Sequence, residues 1–172
     1  HAGRLMAGWG PDFRQRGIAL IESSRGRVPE TAWLWNRASV AGFTGERIAA
    51  IRHLRALIGI QPDHGEAWRQ LARSIAEEEG TSVAIALLRD AVARHPGSDQ
   101  LWSLLAEWLA QTKDGAISAL DRYLELSPRS IWGYRERALR YHDSGDFARA
   151  LSDAEEARSE EHTSELQSHH PI

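Results

Sequence analysis

Between residues 160 and 170, Glu160, Glu161, His162, Glu165, His169 and His170 bring imidazoles and carboxylates close together in sequence. These are the ligand types that hold a zinc ion. The other histidines, among them His53, His64, His95 and His142, are scattered and read as ordinary surface or capping side chains. Gly8-Trp9-Gly10 is glycine-rich, as phosphate-binding loops are, but it lacks the strand before and the helix after that such a loop needs. It reads as a turn. No Gly-x-Ser-x-Gly elbow, no glycine-rich loop ahead of a lysine and no His-Glu-x-x-His is present. Glu77-Glu78-Glu79 falls where a helix should end, and there it opposes the helix dipole slightly. It reads as a solvated turn. The sequence therefore predicts no enzyme, no catalytic residue, no bound metal and no cofactor.

The totals narrow the classes further. The chain has 172 residues, 42% of them hydrophobic and 26% charged, which is the balance of a folded globular protein. A formal charge of −3 is too small to call for a polyanion, so nucleic acid is not an expected partner. With no cysteine, disulfides and thiolate metal sites are excluded. The longest apolar run, residues 83–88, is far short of the roughly 20 residues that span a bilayer. No signal peptide is visible, and a cytoplasmic location is weakly favoured. The chain opens on His1 rather than Met, which leaves room for preceding sequence.

What must position any working residue is a repeat. Pro62, Pro96 and Pro128 lie 34 and 32 residues apart, and six residues after them stand Trp68, Trp102 and Tyr134. In residues 65–98, Trp68, Leu71 and Ile75 fall on one helical face with small Ala72 among them. After a turn at Gly80, Ala84, Leu88 and Ala91 repeat that spacing, and Pro96 stops the second helix. Residues 31–64 carry Leu34, Ala38 and Ala41, then Gly45, Ala50, Leu54 and Leu57. Residues 99–130 carry Trp102, Leu105, Ala106 and Leu109, then Ala116, Leu120 and Tyr123. This copy has lost two residues between Gln111 and Gly115 and has Tyr123 where a small residue is usual. It should show a tightened turn and altered stacking. Residues 131–157 carry Tyr134, Ala138, Tyr141, Gly145, Phe147, Ala150, Ala154 and Ala157. Residues 1–30 read as a degenerate or partial earlier copy.

The pattern of Trp-x2-Leu, small residue, turn, Ala, large apolar, Ala and Pro resembles the tetratricopeptide repeat. The stretch Ser144-Gly-Asp-Phe-Ala-Arg-Ala-Leu151 is similar to that family's turn into its second helix. The resemblance implies an all-α, right-handed superhelical solenoid of antiparallel helix pairs, in which each pair is stabilised by stacking on the next. It also implies a protein-interaction scaffold whose concave groove, lined mainly by first helices, takes a peptide or protein segment. Carried over by position, the groove candidates are Trp35, Phe43, Arg69, Arg73, Gln100, Trp132 and Arg135. Trp35 and Trp132 stand beside the core position held by Leu34 and Tyr134. Two roles are open to them: binding hot spots, or packing against a missing repeat. The clamp with which one subclass grips chaperone carboxylates is not matched, because its positions here hold Trp35, Ser39, Gln70, Gln100 and Leu104. The competing reading is an accessory repeat region of a larger bacterial enzyme whose catalytic domain lies elsewhere.

The histidine and glutamate cluster belongs to a different story. From Arg158, the string Arg-Ser-Glu-Glu-His-Thr-Ser-Glu-Leu-Gln-Ser resembles the translation of a common sequencing-library adapter, and it starts in mid-repeat. Residues 158–172 are therefore expected to be a non-native tail, with the natural sequence stopping at Ala157. The tail carries −2 of the charge, which leaves −1 for the rest.

Overall fold

The computed structural model describes residues 11–112 and 115–168. Among them are nine helices and no strand. In chain order they are α1 (Pro11–Ser23), α2 (Glu30–Thr44), α3 (Arg47–Ile60), α4 (Gly65–Glu79) and α5 (Thr81–Arg94). Then follow α6 (Asp99–Thr112), α7 (Ala116–Leu126), α8 (Ile131–Asp143) and α9 (Phe147–Ser168). Two compact units divide the chain within α5, residues 1–87 and residues 88–172.

Short-range chemistry sets the helix ends. α2 stops at Gly45, at φ 79°, and α8 is followed by Gly145, at φ 81°. In both places the next amide folds back, Glu46 N–H to the Ala41 carbonyl at 2.8 Å and Asp146 N–H to the Tyr141 carbonyl at 2.9 Å. This left-handed closure satisfies carbonyls that the helix leaves free, and only glycine adopts it without strain. At the opposite ends, the first helices of the last three copies are capped by side chains. His64 Nδ1 accepts from Ala67 N–H at 3.2 Å, Ser98 Oγ from Leu101 N–H at 3.3 Å, and Ser130 Oγ from Gly133 N–H at 3.1 Å.

One interaction recurs at the repeat period. Trp68 Nε1 donates to the Pro62 carbonyl at 2.8 Å, Trp102 Nε1 to the Pro96 carbonyl at 3.0 Å, and the Tyr134 hydroxyl to the Pro128 carbonyl at 3.1 Å. The aromatic thus ties down the preceding inter-repeat turn with its polar tip, and the ring of Trp68 also fills the core. Tyrosine substitutes for tryptophan in the last copy because its hydroxyl reaches the same acceptor.

In the first unit the core is built from Trp33, Leu34 and Val40 of α2, Leu54 and Leu57 of α3, and Trp68, Leu71 and Ile75 of α4. Small Ala38, Ala41, Ala50, Ala67 and Ala72 are sealed between them, which lets the helix axes approach. In the second unit Leu101, Leu104, Leu105 and Leu109 of α6 pack with Ala116, Leu120 and Leu124 of α7. In the short third copy the Tyr123 ring packs closely against the backbone of Gly133. A Cβ added to Gly133 would lie 2.8 Å from the Tyr123 ring and 2.8 Å from Leu124 Cδ2. The large side chain on α7 is accommodated by the absence of one on α8. Residues 113–114, in the turn where this copy is two residues short, lie outside the described residues.

Candidate functional site

In the first unit, Trp35 on α2 is half-buried, and its ring lies 5.1 Å from the imidazole of His64, tilted by 32°. Phe43, two turns further along α2, is 72% exposed. Arg69 and Arg73 follow each other by one turn on α4; Arg69 lies 3.7 Å from Glu66, and Arg73 is exposed. At the edge of this face Arg47 Nε pairs with Glu77 at 3.0 Å. Ser39 is buried and donates to the Trp35 carbonyl at 2.9 Å, so that member of the groove register has no open surface.

In the second unit, Gln100 is exposed at the start of α6. Trp132 on α8 is half-buried and meets the Tyr123 ring edge-on at 5.2 Å. Arg135 is exposed and pairs with Glu161 at 2.9 Å. Beside it α8 and α9 leave a cavity of about 540 Å³, lined by Arg135, Ala138, Leu139, His142, Ala150, Ala154, Ala157, Arg158 and Glu161. Leu139, Phe147 and Leu151 are all more than 45% exposed on this terminal pair.

The charged centre of the second unit is one that sequence reasoning passed over. Arg137 on α8 binds Asp153 on α9 through two parallel hydrogen bonds of 2.8 Å, and Asp121 on α7 through a third of 2.8 Å. Its guanidinium is held well above its ordinary pKa, first by its hydrogen bond to Asp153; burial opposes the shift, and Asp121 adds to it. Asp153 is buried, and this fork-on-fork geometry is what makes a buried carboxylate tolerable. The signal was present in the sequence. Arg137 sits seven residues into its repeat, where the second and third copies have Leu71 and Leu105.

Among the described residues, no three His, Cys, Asp or Glu side chains are placed to hold a metal ion. His169 and His170 of the sequence cluster lie outside those residues, as does Gly8-Trp9-Gly10. Residues 158–168 continue α9 as helix. Among the described residues, no helix is long and apolar enough to cross a membrane.

Against known structures the arrangement is familiar. A crystal structure of MamA superposes with a TM-score of 0.66 at 19% identity, covering 87% of this chain and 90% of that one. MamA from Desulfovibrio magneticus RS-1, from residue 41 to its end, gives 0.62 at 14% identity, over 87% and 86% of the two chains. The chain shares its fold with MamA. That fold is the all-α, tetratricopeptide-type solenoid. In sequence, 99 residues are 33% identical to protein FlbA of Caulobacter vibrioides, covering 56% of this chain and 17% of FlbA. The chain thus spans about a sixth of that relative's length. No family model matches the chain.

Proposed function

We propose that this chain is a protein-interaction module of tetratricopeptide type, with repeats at residues 31–64, 65–98, 99–130 and 131–157, which binds a peptide or protein segment along its first helices. The observation that carries the reading is the register of Trp35, Phe43, Arg69 and Arg73. These large aromatic and guanidinium side chains occupy first-helix positions beside the buried stripe. Phe43 is 72% exposed, an aromatic ring left open to solvent. Trp and Arg are the side chains that most often dominate binding energy when a partner seals them from water. In the second unit Arg135 holds the position of Trp35 and Arg69, and Gln100 and Trp132 stand at the second position of their repeats, on the same groove register. The module carries out no chemistry of its own, and residues 158–172 are foreign to it.

Helicity and capture separate the reading from its rivals. A phage-displayed peptide library supplies ligands for the intact chain. Arg69→Glu combined with Arg73→Glu should abolish their binding while the helical circular dichroism stays unchanged. Peptides that bind the double variant equally well would place the site elsewhere. A second reading, favoured by the short share of FlbA that the chain spans, makes it the accessory region of a larger bacterial enzyme. On that reading the same surface binds a segment of its own polypeptide.

A further inference from the structure

The first copy keeps an arginine without the carboxylate that the fourth copy gives it. Arg137 on α8 is forked by Asp153 on α9 and also held by Asp121 on α7. Its counterpart on α2 is Arg37, largely buried, and Glu22 on α1 lies 2.8 Å from it in the part of Asp121. In the register of Asp153, however, α3 carries His53. The second and third copies call for no anion here, because the same two places hold Leu71 with Leu87 and Leu105 with Ala119.

Around this place in the first unit the groups are donors and cations. Trp33 is 6% exposed, and its Nε1–H is buried without an acceptor among the described residues. The Arg37 Nε–H is buried too, and it stands out of line with Glu22 despite the short distance, so no hydrogen bond satisfies it. Buried donors left in this way are rare and call for a cause. The Arg25 guanidinium lies over the Trp33 ring, 4.5 Å from its centre, and the His53 ring meets Trp33 at 5.6 Å with the planes 88° apart. Arg52 is exposed beside His53 on α3. Three guanidiniums, those of Arg25, Arg37 and Arg52, thus stand against the carboxylate of Glu22, a surplus of two positive charges around His53. The set belongs to this copy alone: the places of Trp33 and Arg52 hold Ala67 and Ala86, then Leu101 and Ser118, then Gly133 and Ser152.

We propose that Arg25, Trp33, Arg37 and Arg52 bind a small, doubly charged tetrahedral oxyanion of the sulfate or phosphate type. It would stand where the fourth copy has the chain's own Asp153 carboxylate. The unsatisfied groups are all donors, so the ligand must accept hydrogen bonds, and a dianion cancels the surplus charge. Its oxygens accept from Trp33 Nε1–H and Arg37 Nε–H, and the Arg25 and Arg52 guanidiniums meet it from the solvent side. Arg25 is exposed, so leaving the Trp33 face to admit the ion is a surface rotamer change.

The ion and His53 are coupled. Burial, then the Arg37 and Arg52 charges, holds the His53 imidazole below its ordinary pKa; Glu22 opposes the shift and Arg25 adds to it. A dianion among these charges favours the imidazolium. Bound ion therefore raises the His53 pKa and, by linkage, binds more tightly as the pH falls. The site shares no residue with the groove candidates, so its test and the peptide-library test can fail independently.

The test titrates sodium sulfate into the full chain at constant ionic strength, balanced with sodium chloride. NMR follows the His53 ring protons, assigned by their loss in His53→Leu. Sulfate keeps its double charge throughout the range in which histidine titrates, so any pH dependence belongs to the protein. The His53 signals should shift saturably, and their titration midpoint should rise with sulfate. Arg52→Ala, a surface change that copies Ala86, should weaken binding about tenfold. His53→Asp copies Asp153, supplies the chain's own carboxylate and should abolish binding, read as loss of the extra sulfate-dependent rise in melting temperature. The general stabilisation by sulfate is common to all variants, so the difference from the native chain is what counts. Inorganic phosphate and O-phosphoserine repeat the titration: binding of both assigns the site to any phosphoryl group, and of phosphate alone to the free ion. No saturable shift, an unmoved His53 midpoint, or undiminished binding in Arg52→Ala and His53→Asp would overturn the proposal.

Discussion

Trp68 and Trp102 have the same position, the same hydrogen bond and different surroundings. Trp68 is 2% exposed, whereas Trp102 is only half-buried, over the groove that it lines with Ala119. At Ala119's place in the repeat the other copies carry His53, Leu87 and Asp153, so the small side chain uncovers the ring. Trp68→Ala should therefore cost about 3–5 kcal/mol, as for a fully buried aromatic. Trp102→Ala should cost nearer about 2 kcal/mol, in proportion to the smaller area it removes from water. Denaturant titration of the two variants decides it; equal losses would mean that the shared proline contact, not burial, sets the contribution. Sequence alone would rank the two tryptophans together, because their repeat positions are identical.

Between elements, the guanidinium of Arg137 joins three helices with charge where the neighbouring junction uses leucine. Removing one member of such a group leaves a charge stranded, while replacing the whole set with apolar side chains need not destabilise. Asp121→Arg brings a second guanidinium against Arg137 and should loosen α8 and α9. The expected signs are faster amide exchange across both helices and a broadened unfolding transition. Combining Asp121→Arg with Arg137→Leu and Asp153→Ala transfers the set found at Arg89, Leu105 and Ala119, and should restore a sharp transition. If the triple variant is no better than the single one, charge at these positions does not govern stacking. The Gly133 and Tyr123 contact makes the same point in apolar form: α7 and α8 are matched to each other and not to a generic neighbour.

At the scale of the whole molecule, pH acts on the first unit through His53. Burial lowers its pKa below the ordinary 6.5, with the Arg37 and Arg52 charges adding to the effect; Glu22 opposes it, and Arg25 lowers it further. The unfolded chain therefore takes up this proton more readily than the folded one. Stability from this source is complete above pH 6.5 and declines as the pH falls towards the folded value. His53→Leu, which copies Leu87 at the same repeat position, should remove that part of the decline in thermal melts between about pH 7.5 and about pH 5.5. An unchanged slope would show that other groups carry it. Much of the molecule is legible in the linear pattern of its residues. Helix pairs, their caps, the core stripe and the proline ruler all follow from spacing, because helical periodicity and backbone capping act over a few residues and leave their mark in the sequence. The candidate surface was legible only as a register: Phe43 is open, but Ser39, in the same register, is buried. The Arg137 group, the fit of Tyr123 to Gly133 and the uncovered Trp102 were decided by tertiary structure. Each depends on which side chains from separate helices meet, and a one-dimensional pattern gives a position's residue type without naming its neighbour. The sequence by itself determined what kind of element each segment forms; contact between helices decided which positions carry charge, shape and open surface.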